Sequence, residues 1–204
     1  MFVGMWMKTE LITVQLDTAL DECVRLMSEK QIRRLPVVAT LEGEERLVGI
    51  VSTTDIARAA GARTVAQAMT PDPMTTTPDV PLESIAAIMR ECKIGALPVL
   101  RGTLLIGLIT ESDVFDAFAS LFDLSTNGAR IVFDISDGED ILPFIAELAA
   151  RHELRVTSLI SLHKRERPMC VVHVVGANVD ALLEEVWRSH HRLESVVRTG
   201  PPED

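Results

Sequence analysis

Two short stretches carry the side chains best suited to chemistry. In Ser52-Thr53-Thr54-Asp55 and in Thr110-Glu111-Ser112-Asp113, a hydroxyl stands three residues before a carboxylate. Each follows an apolar run with a glycine, Gly49 or Gly107, three residues ahead of the hydroxyl. At a strand-to-helix junction this spacing is a capping-box pattern: the hydroxyl accepts from a first-turn N–H, and the acid sits at the positive end of the helix dipole. Such a cap is worth about 1 kcal/mol and needs no ligand. The same groups suit a ligand as well. A carboxylate can accept both hydroxyls of a ribose, a helix N-terminus favours an anion, and a glycine leaves room for backbone or a flat ring to approach closely. Arg33 and Arg34 upstream are suited to phosphate, and equally to a solvated pair screening nearby acids.

The rest of the chain narrows the classes. Its 204 residues contain 30 acidic and 20 basic side chains, a net charge of −10. That balance argues against a nucleic-acid partner, which needs clustered cation, but a local arginine pair still suits a small anion. Cys23, Cys92 and Cys170 are scattered and odd in number, so neither a disulfide framework nor a metal spacing follows, and a reducing cytoplasm is expected. No apolar run reaches membrane-spanning length, and the opening Met1 to Lys8 lacks the basic region and cleavage site of a signal peptide. Neither paired-motif aspartate has a histidine or lysine beside it in sequence, and no nucleophile-and-base motif is present, so no enzyme is expected. His190-His191 reads as a cation compensating a helix C-terminus. His163 and His173 flank a hairpin and are expected at solvent or a subunit contact. No metal site is expected.

The elements that must position these groups come as a repeat. Leu11 to Met27 matches Pro73 to Met89, and Arg33 to Val38 matches Gly95 to Leu100, all at an offset of 62 residues. Beyond that the offset falls to 58, pairing Gly49 with Gly107 and Asp55 with Asp113. The first copy thus holds four extra residues in Thr40 to Leu47, read as a hairpin loop that tolerates length change. Apolar positions Leu20, Cys23, Val24 and Met27, matched by Leu82, Ile85, Ala86 and Met89, have helical spacing. Two apolar strands and a second helix follow in each copy. The unit is β-α-β-β-α, too small to bury much alone, so two copies are expected to pack as a pair. After Ser125 to Arg130 the pattern changes to strand, helix, two β-rich runs, a helix with Asn178 as N-cap, and a last strand. This α+β order, βαββαβ, is ferredoxin-like. The expected segments are residues 1–68, 69–124 and 129–199.

Several elements, in order and twice, resemble a known family. Gly49 to Asp55 and Gly107 to Asp113 resemble the Gly-h-h-Thr/Ser-x-x-Asp signature of CBS (cystathionine β-synthase-type) domains. Ile32 to Val38 and Ile94 to Leu100 resemble their h-R-x-L-P-V-V strand, and Met69 to Asp79 resembles the opening of a second CBS motif. The terminal part resembles an ACT domain, although Ser136-Asp137-Gly138-Glu139 keeps only the glycine of the usual Asp-x-Pro-Gly. The order and length are similar to the AcuB-type acetoin-utilisation family.

The resemblance implies a non-enzymatic regulator that senses AMP, ADP, ATP or S-adenosylmethionine in the cleft of the motif pair. Asp55 and Asp113 would hold ribose hydroxyls, with Ser52 and Thr110 beside ribose or phosphate. Ile12, Thr13, Met74 and Thr75 would line adenine, and Arg33 and Arg34 would meet phosphate. Gly95-Ala96 replaces the arginine pair in the second copy, so at most one competent site per chain is expected. In the ACT-like part, Asp137 and Gly138 would form a ligand loop for an amino acid between paired subunits, or simply a tight turn before a helix. The protein is expected to be a homodimer that signals to another protein. The alternative is a constitutive dimerisation scaffold with degenerate ligand sites.

Overall fold

The computed structural model describes residues 1–121, 126–162 and 167–200. It divides into two compact units, Met1–Ala117 and Phe118–Asp204. Ser125, His163 and the residues after Gly200 lie outside the described residues.

In the first unit, strand β1 (Val14–Gln15) leads to helix α1 (Leu20–Glu29) and the hairpin β2 (Arg34–Leu41) and β3 (Glu44–Ser52). Two short helices, α2 (Thr53–Arg58) and α3 (Val65–Ala68), and strand β4 (Thr70–Pro71) follow. The sheet order is β1-β2-β3-β4, with β1 parallel to β2 and the other pairs antiparallel. The second copy repeats this with helix α4 (Leu82–Cys92), the hairpin β5 (Ala96–Arg101) and β6 (Leu104–Thr110), and helix α5 (Glu111–Ser120). Helix α1 buries Leu20, Cys23 and Met27, and α4 buries Leu82, Ile85 and Met89. Val24, expected on the buried stripe, is half exposed.

The four extra residues of the first copy are not a loop. Strands β2 and β3 have 8 and 9 residues against 6 and 7 in β5 and β6. Each strand is two residues longer, and a tight turn at Glu42 and Gly43, both at positive φ, closes the ladder as a type I′ hairpin does. Because side chains alternate with a period of two, adding whole pairs preserves which face is buried.

The two copies complete each other. Val65 packs in the core of the first copy, with Leu20, Cys23, Met27, Leu35 and Val37. Val3, 62 residues earlier, packs in the core of the second, with Leu82, Ile85, Leu97 and Ile109. Lys8 bridges antiparallel to Leu108 much as Thr70 pairs with Ile50. The segment preceding each repeat therefore closes the other one, which accounts for the apolar opening of the chain. It also corrects the reading of the two glycines. A Cβ on Gly49 would lie 2.4 Å from Met69 Sδ, and one on Gly107 would lie 2.5 Å from Met7 Sδ. The glycines make room for these crossing methionines and for the close backbone approach of the Thr70 and Lys8 carbonyls, 3.2 and 3.1 Å from such a Cβ, and not for a flat ring.

The second unit is strand β7 (Gly128–Asp134), helix α6 (Ile141–Arg151), strands β8 (Arg155–Leu162) and β9 (Met169–Val175), helix α7 (Val179–Arg188) and strand β10 (Leu193–Thr199). Its antiparallel sheet has the order β10-β7-β9-β8. Ala129, Ile131 and Phe133 of β7 and Cys170, Val172 and Val174 of β9 form one core with Ile145 and Leu148 of α6 and Leu182, Leu183 and Val186 of α7. Pro143 sits in the first turn of α6, where a missing N–H costs nothing. Asn178 stands at the N-cap of α7 as expected, but its side chain makes no capping hydrogen bond; its Nδ2 donates instead to the His152 carbonyl. His173 is not at the surface: it is 3% exposed, with Nδ1 2.9 Å from Thr157 Oγ1 and Nε2 3.0 Å from Thr199 Oγ1. Cys23 and Cys170 are buried and burial pushes both thiols up, so they stay protonated, whereas Cys92 is exposed. Among the described residues no helix is long and apolar enough to cross a membrane.

Candidate functional site

Both hydroxyl-carboxylate pairs form the caps that their spacing predicts. Ser52 Oγ donates to Asp55 Oδ2 at 2.6 Å and accepts from Asp55 N, while Asp55 Oδ2 accepts from Ser52 N at 2.8 Å. Thr110 and Asp113 repeat this, with Asp113 Oδ2 accepting from Thr110 N at 2.9 Å and from Thr110 Oγ1 at 2.6 Å. One oxygen of each carboxylate is thus committed to the helix start. The simpler, structural reading of the motifs holds in both copies, and it leaves Oδ1 as the oxygen able to meet a ligand.

What separates the copies is where that second oxygen lies. A cleft of about 670 Å³ in the first unit is lined by Thr110 and Asp113 from the second copy and by Ile12, Arg33 and Arg34 from the first. Leu11, Pro36, Leu108 and Met7 add an apolar wall. Asp113 is only 4% exposed, and its Oδ1 lies 3.5 Å from Lys8 Nζ. Thr13, Ser52, Asp55, Met74 and Thr75 do not line this cleft. The arginines therefore share a site with the carboxylate of the opposite copy, an arrangement the sequence left open. Sequence reasoning missed Lys8, Glu10, Glu111 and Asp116, which also line it. The signal for Lys8 was the offset of 62 residues that relates Val3 to Val65 and Met7 to Met69.

Gly95 explains the lopsided arginines. A Cβ there would lie 2.0 Å from Arg34 Nη2 and 2.8 Å from Glu111 Oε2. The residue that replaces an arginine in the second copy is the space into which the first copy's guanidinium reaches. The cleft gains Arg34 from one copy because the other copy gives up its side chain at Gly95.

In the second unit, Asp137 Oδ1 accepts from Glu139 N, and Gly138 is at φ 83° with its N–H on the Ile135 carbonyl, a tight turn. Asp140 Oδ1 caps α6 by accepting from Leu142 N. The Ser136 hydroxyl and N–H hold the carboxyl of Asp134 below the usual carboxylate range. Gly138, but not Asp137, lines a hollow of about 390 Å³.

Comparison with known proteins places these features in context. The CBS domain model matches residues 3–62 and 65–120. An inosine-5'-monophosphate dehydrogenase from Korarchaeum cryptofilum is 33% identical over 83% of this chain and 37% of its own. A homoserine O-acetyltransferase from Methanohalobium evestigatum is 32% identical over 55% of this chain and 23% of its own. The chain thus spans roughly a quarter to two fifths of the length of these two relatives. Among solved structures, CBSX2 in complex with AMP aligns with a TM-score of 0.53 at 26% identity, covering 58% of this chain and 97% of that one. A CBS domain pair in complex with 5'-methylthioadenosine and S-adenosyl-L-methionine aligns at 0.55 and 26%, covering 59% and 97%. A Vibrio cholerae protein named for acetoin utilization (AcuB) aligns at 0.54 and 28%, covering 61% and 94%.

Proposed function

The chain belongs to the CBS domain family, and from that premise we propose that it is a non-enzymatic sensor that binds one adenosine-bearing ligand in the cleft of its first unit. The observation that carries this reading is the meeting of Arg33 and Arg34 with Thr110 and Asp113 across the repeat. Asp113 Oδ1 would accept from ribose, Arg33 and Arg34 would hold phosphate or carboxylate, and Ile12 and its apolar neighbours would cover adenine. The structures of CBSX2 with AMP and of a CBS pair with S-adenosyl-L-methionine support that ligand class.

The charges lining the cleft narrow it further. Glu10, Glu111, Asp113 and Asp116 face Lys8, Arg33 and Arg34. Four acids against three bases tolerate a monophosphate or a zwitterion better than a triphosphate, since each unpaired phosphate charge would meet carboxylates at close range. Calorimetry with AMP, ADP, ATP and S-adenosylmethionine tests this. We expect saturable binding of AMP or S-adenosylmethionine at one per chain, weaker binding of ATP, and about 2.7 kcal/mol of stabilisation at 100 times the dissociation constant. No response to any of the four would leave the dimerisation scaffold as the better reading. Gly95→Ala gives a finer test. The new methyl displaces the end of a flexible side chain, so the fold should tolerate it within about 0.5 kcal/mol, while AMP affinity should fall about tenfold as Arg34 is displaced. Unchanged affinity would exclude Arg34 from phosphate contact.

The second unit we read as ACT-like and as the means of dimerisation. Its strand order β10-β7-β9-β8 supports a ferredoxin-like sheet. The edge strands β8 and β10 expose Val156, Leu162 and Val197, and exposed edges favour pairing with a second copy. Asp137 and Gly138 would then sit in an amino-acid loop. Acetoin use is the pathway that likeness to the Vibrio cholerae protein supports, and the scattered, odd-numbered cysteines support a cytoplasmic setting for it.

A further inference from the structure

A cluster in the second unit has no part in the nucleotide cleft. Strand β7 ends at Asp134, β10 begins at Leu193, and the two pair antiparallel, so the chain leaving one and the chain entering the other meet at the same end of the sheet. That end brings Glu139, from the turn before α6, against His190 and His191, from the turn after α7. His190 Nε2 lies 3.2 Å from Glu139 Oε1, and His191 Nδ1 lies 2.8 Å from Glu139 Oε2. All three candidate ligand atoms fall within 4.8 Å of one another. No ligand spacing is visible along the chain because the histidines stand 51 residues or more from the glutamate.

His190 Nε2 and Glu139 Oε1 form a hydrogen bond, but a second observation separates His191 from ordinary ion pairing. The His191 side chain is 6% exposed, and its Nδ1 is buried with no hydrogen-bond partner although the Glu139 oxygen is so near. An N···O approach of that length without hydrogen-bond geometry means that donor and acceptor do not point at each other. Two ligands of one cation take that arrangement, each directing its lone pair at a shared point. The ring cannot easily turn away: its centroid is 3.9 Å from that of Phe144, and it stands edge-on to Phe133. His190 is exposed, and its hydrogen bond to Glu139 Oε1 already holds it at the solvent side of the site.

We propose that Glu139, His190 and His191 bind a divalent transition-metal ion, with Zn²⁺ the best match. Two imidazoles and one carboxylate are a borderline N/O donor set, and three protein ligands leave a further position for water. The ion ties the β7–α6 turn to the α7–β10 turn, closing the open end of the sheet.

The test is a titration of the chelator-treated full chain with Zn²⁺ alone, followed by calorimetry and thermal unfolding. One ion per chain and a higher unfolding midpoint are expected. His190→Ala and Glu139→Gln should each weaken binding at least tenfold, and the double variant should lose it. Cys92→Ser, which removes the exposed thiol in the other unit, should leave binding unchanged. No saturable binding by the unaltered chain, one-per-chain binding retained in the double variant, or loss in Cys92→Ser would each overturn the proposal. Histidine ring NMR of the unaltered chain reads the ligands without a variant: Zn²⁺-induced shifts at His190 and His191 support the site, and shifts confined to other histidines refute it.

Discussion

Replacing Asp113 by alanine is expected to weaken AMP or S-adenosylmethionine binding by about 10- to 100-fold, while replacing Asp55 leaves it unchanged. The two residues are equivalent in sequence and in their local hydrogen bonds. Each accepts from the hydroxyl and the N–H of its cap residue through Oδ2. Each substitution should therefore cost the same helix cap, about 1 kcal/mol of stability. Only Asp113 lines the cleft with the arginines. Its Oδ1 is met by Lys8 at 3.5 Å, and that lysine is 71% exposed, so the pair is weak and a ligand can displace it. A hydrogen bond to a charged group contributes about 1.5–3 kcal/mol, which sets the expected loss. Calorimetry on both variants decides the matter. Equal losses, or a loss confined to Asp55→Ala, would refute the pairing of one copy's arginines with the other copy's carboxylate.

The largest stability effect should come from Phe133→Ala. Phe133 is fully buried near the end of the inner strand β7, edge-on to Phe144 with centroids 6.4 Å apart. Truncating a buried phenylalanine costs about 3–5 kcal/mol, because the neighbours relax only partly into the cavity. That is a large share of the roughly 5–15 kcal/mol that holds a domain folded. Urea unfolding followed by circular dichroism should show an early transition in this variant, with the ligand response of the first unit retained. Trp187→Ala, at a side chain 60% exposed on α7, serves as control and should cost less than about 0.5 kcal/mol. Similar costs for the two would mean that Phe133 does not anchor this core.

Local features were legible from residue order. Leu20, Cys23 and Met27 announce a helix by spacing alone, because a period of 3.6 residues puts them on one stripe. Ser52 and Asp55 announce its neighbour's cap, because both partners lie within one turn. Errors arose where a side chain's role depends on chain far away. Gly49 is room for a close approach, of backbone or a flat ring by its type alone, and Met69 and the Thr70 carbonyl are what take that room. His173, beside a hairpin in sequence and so expected at solvent or a subunit contact, is buried because Thr157 and Thr199 meet both its nitrogens.

The amino-acid order by itself determined a duplicated unit, its helices, strands and caps, and the family to which they point, since these rest on periodicities and hydrogen bonds spanning a few residues. The tertiary structure alone decided that Arg33 and Arg34 line a cleft with Asp113 and not with Asp55, that Val3 and Met7 close the far repeat, that Gly95 is the room for Arg34, and that Glu139 reaches His190 and His191. Those contacts follow from two copies packing against each other and from two turns meeting at one end of a sheet. Each depends on the volume left by a distant side chain, which no local spacing encodes.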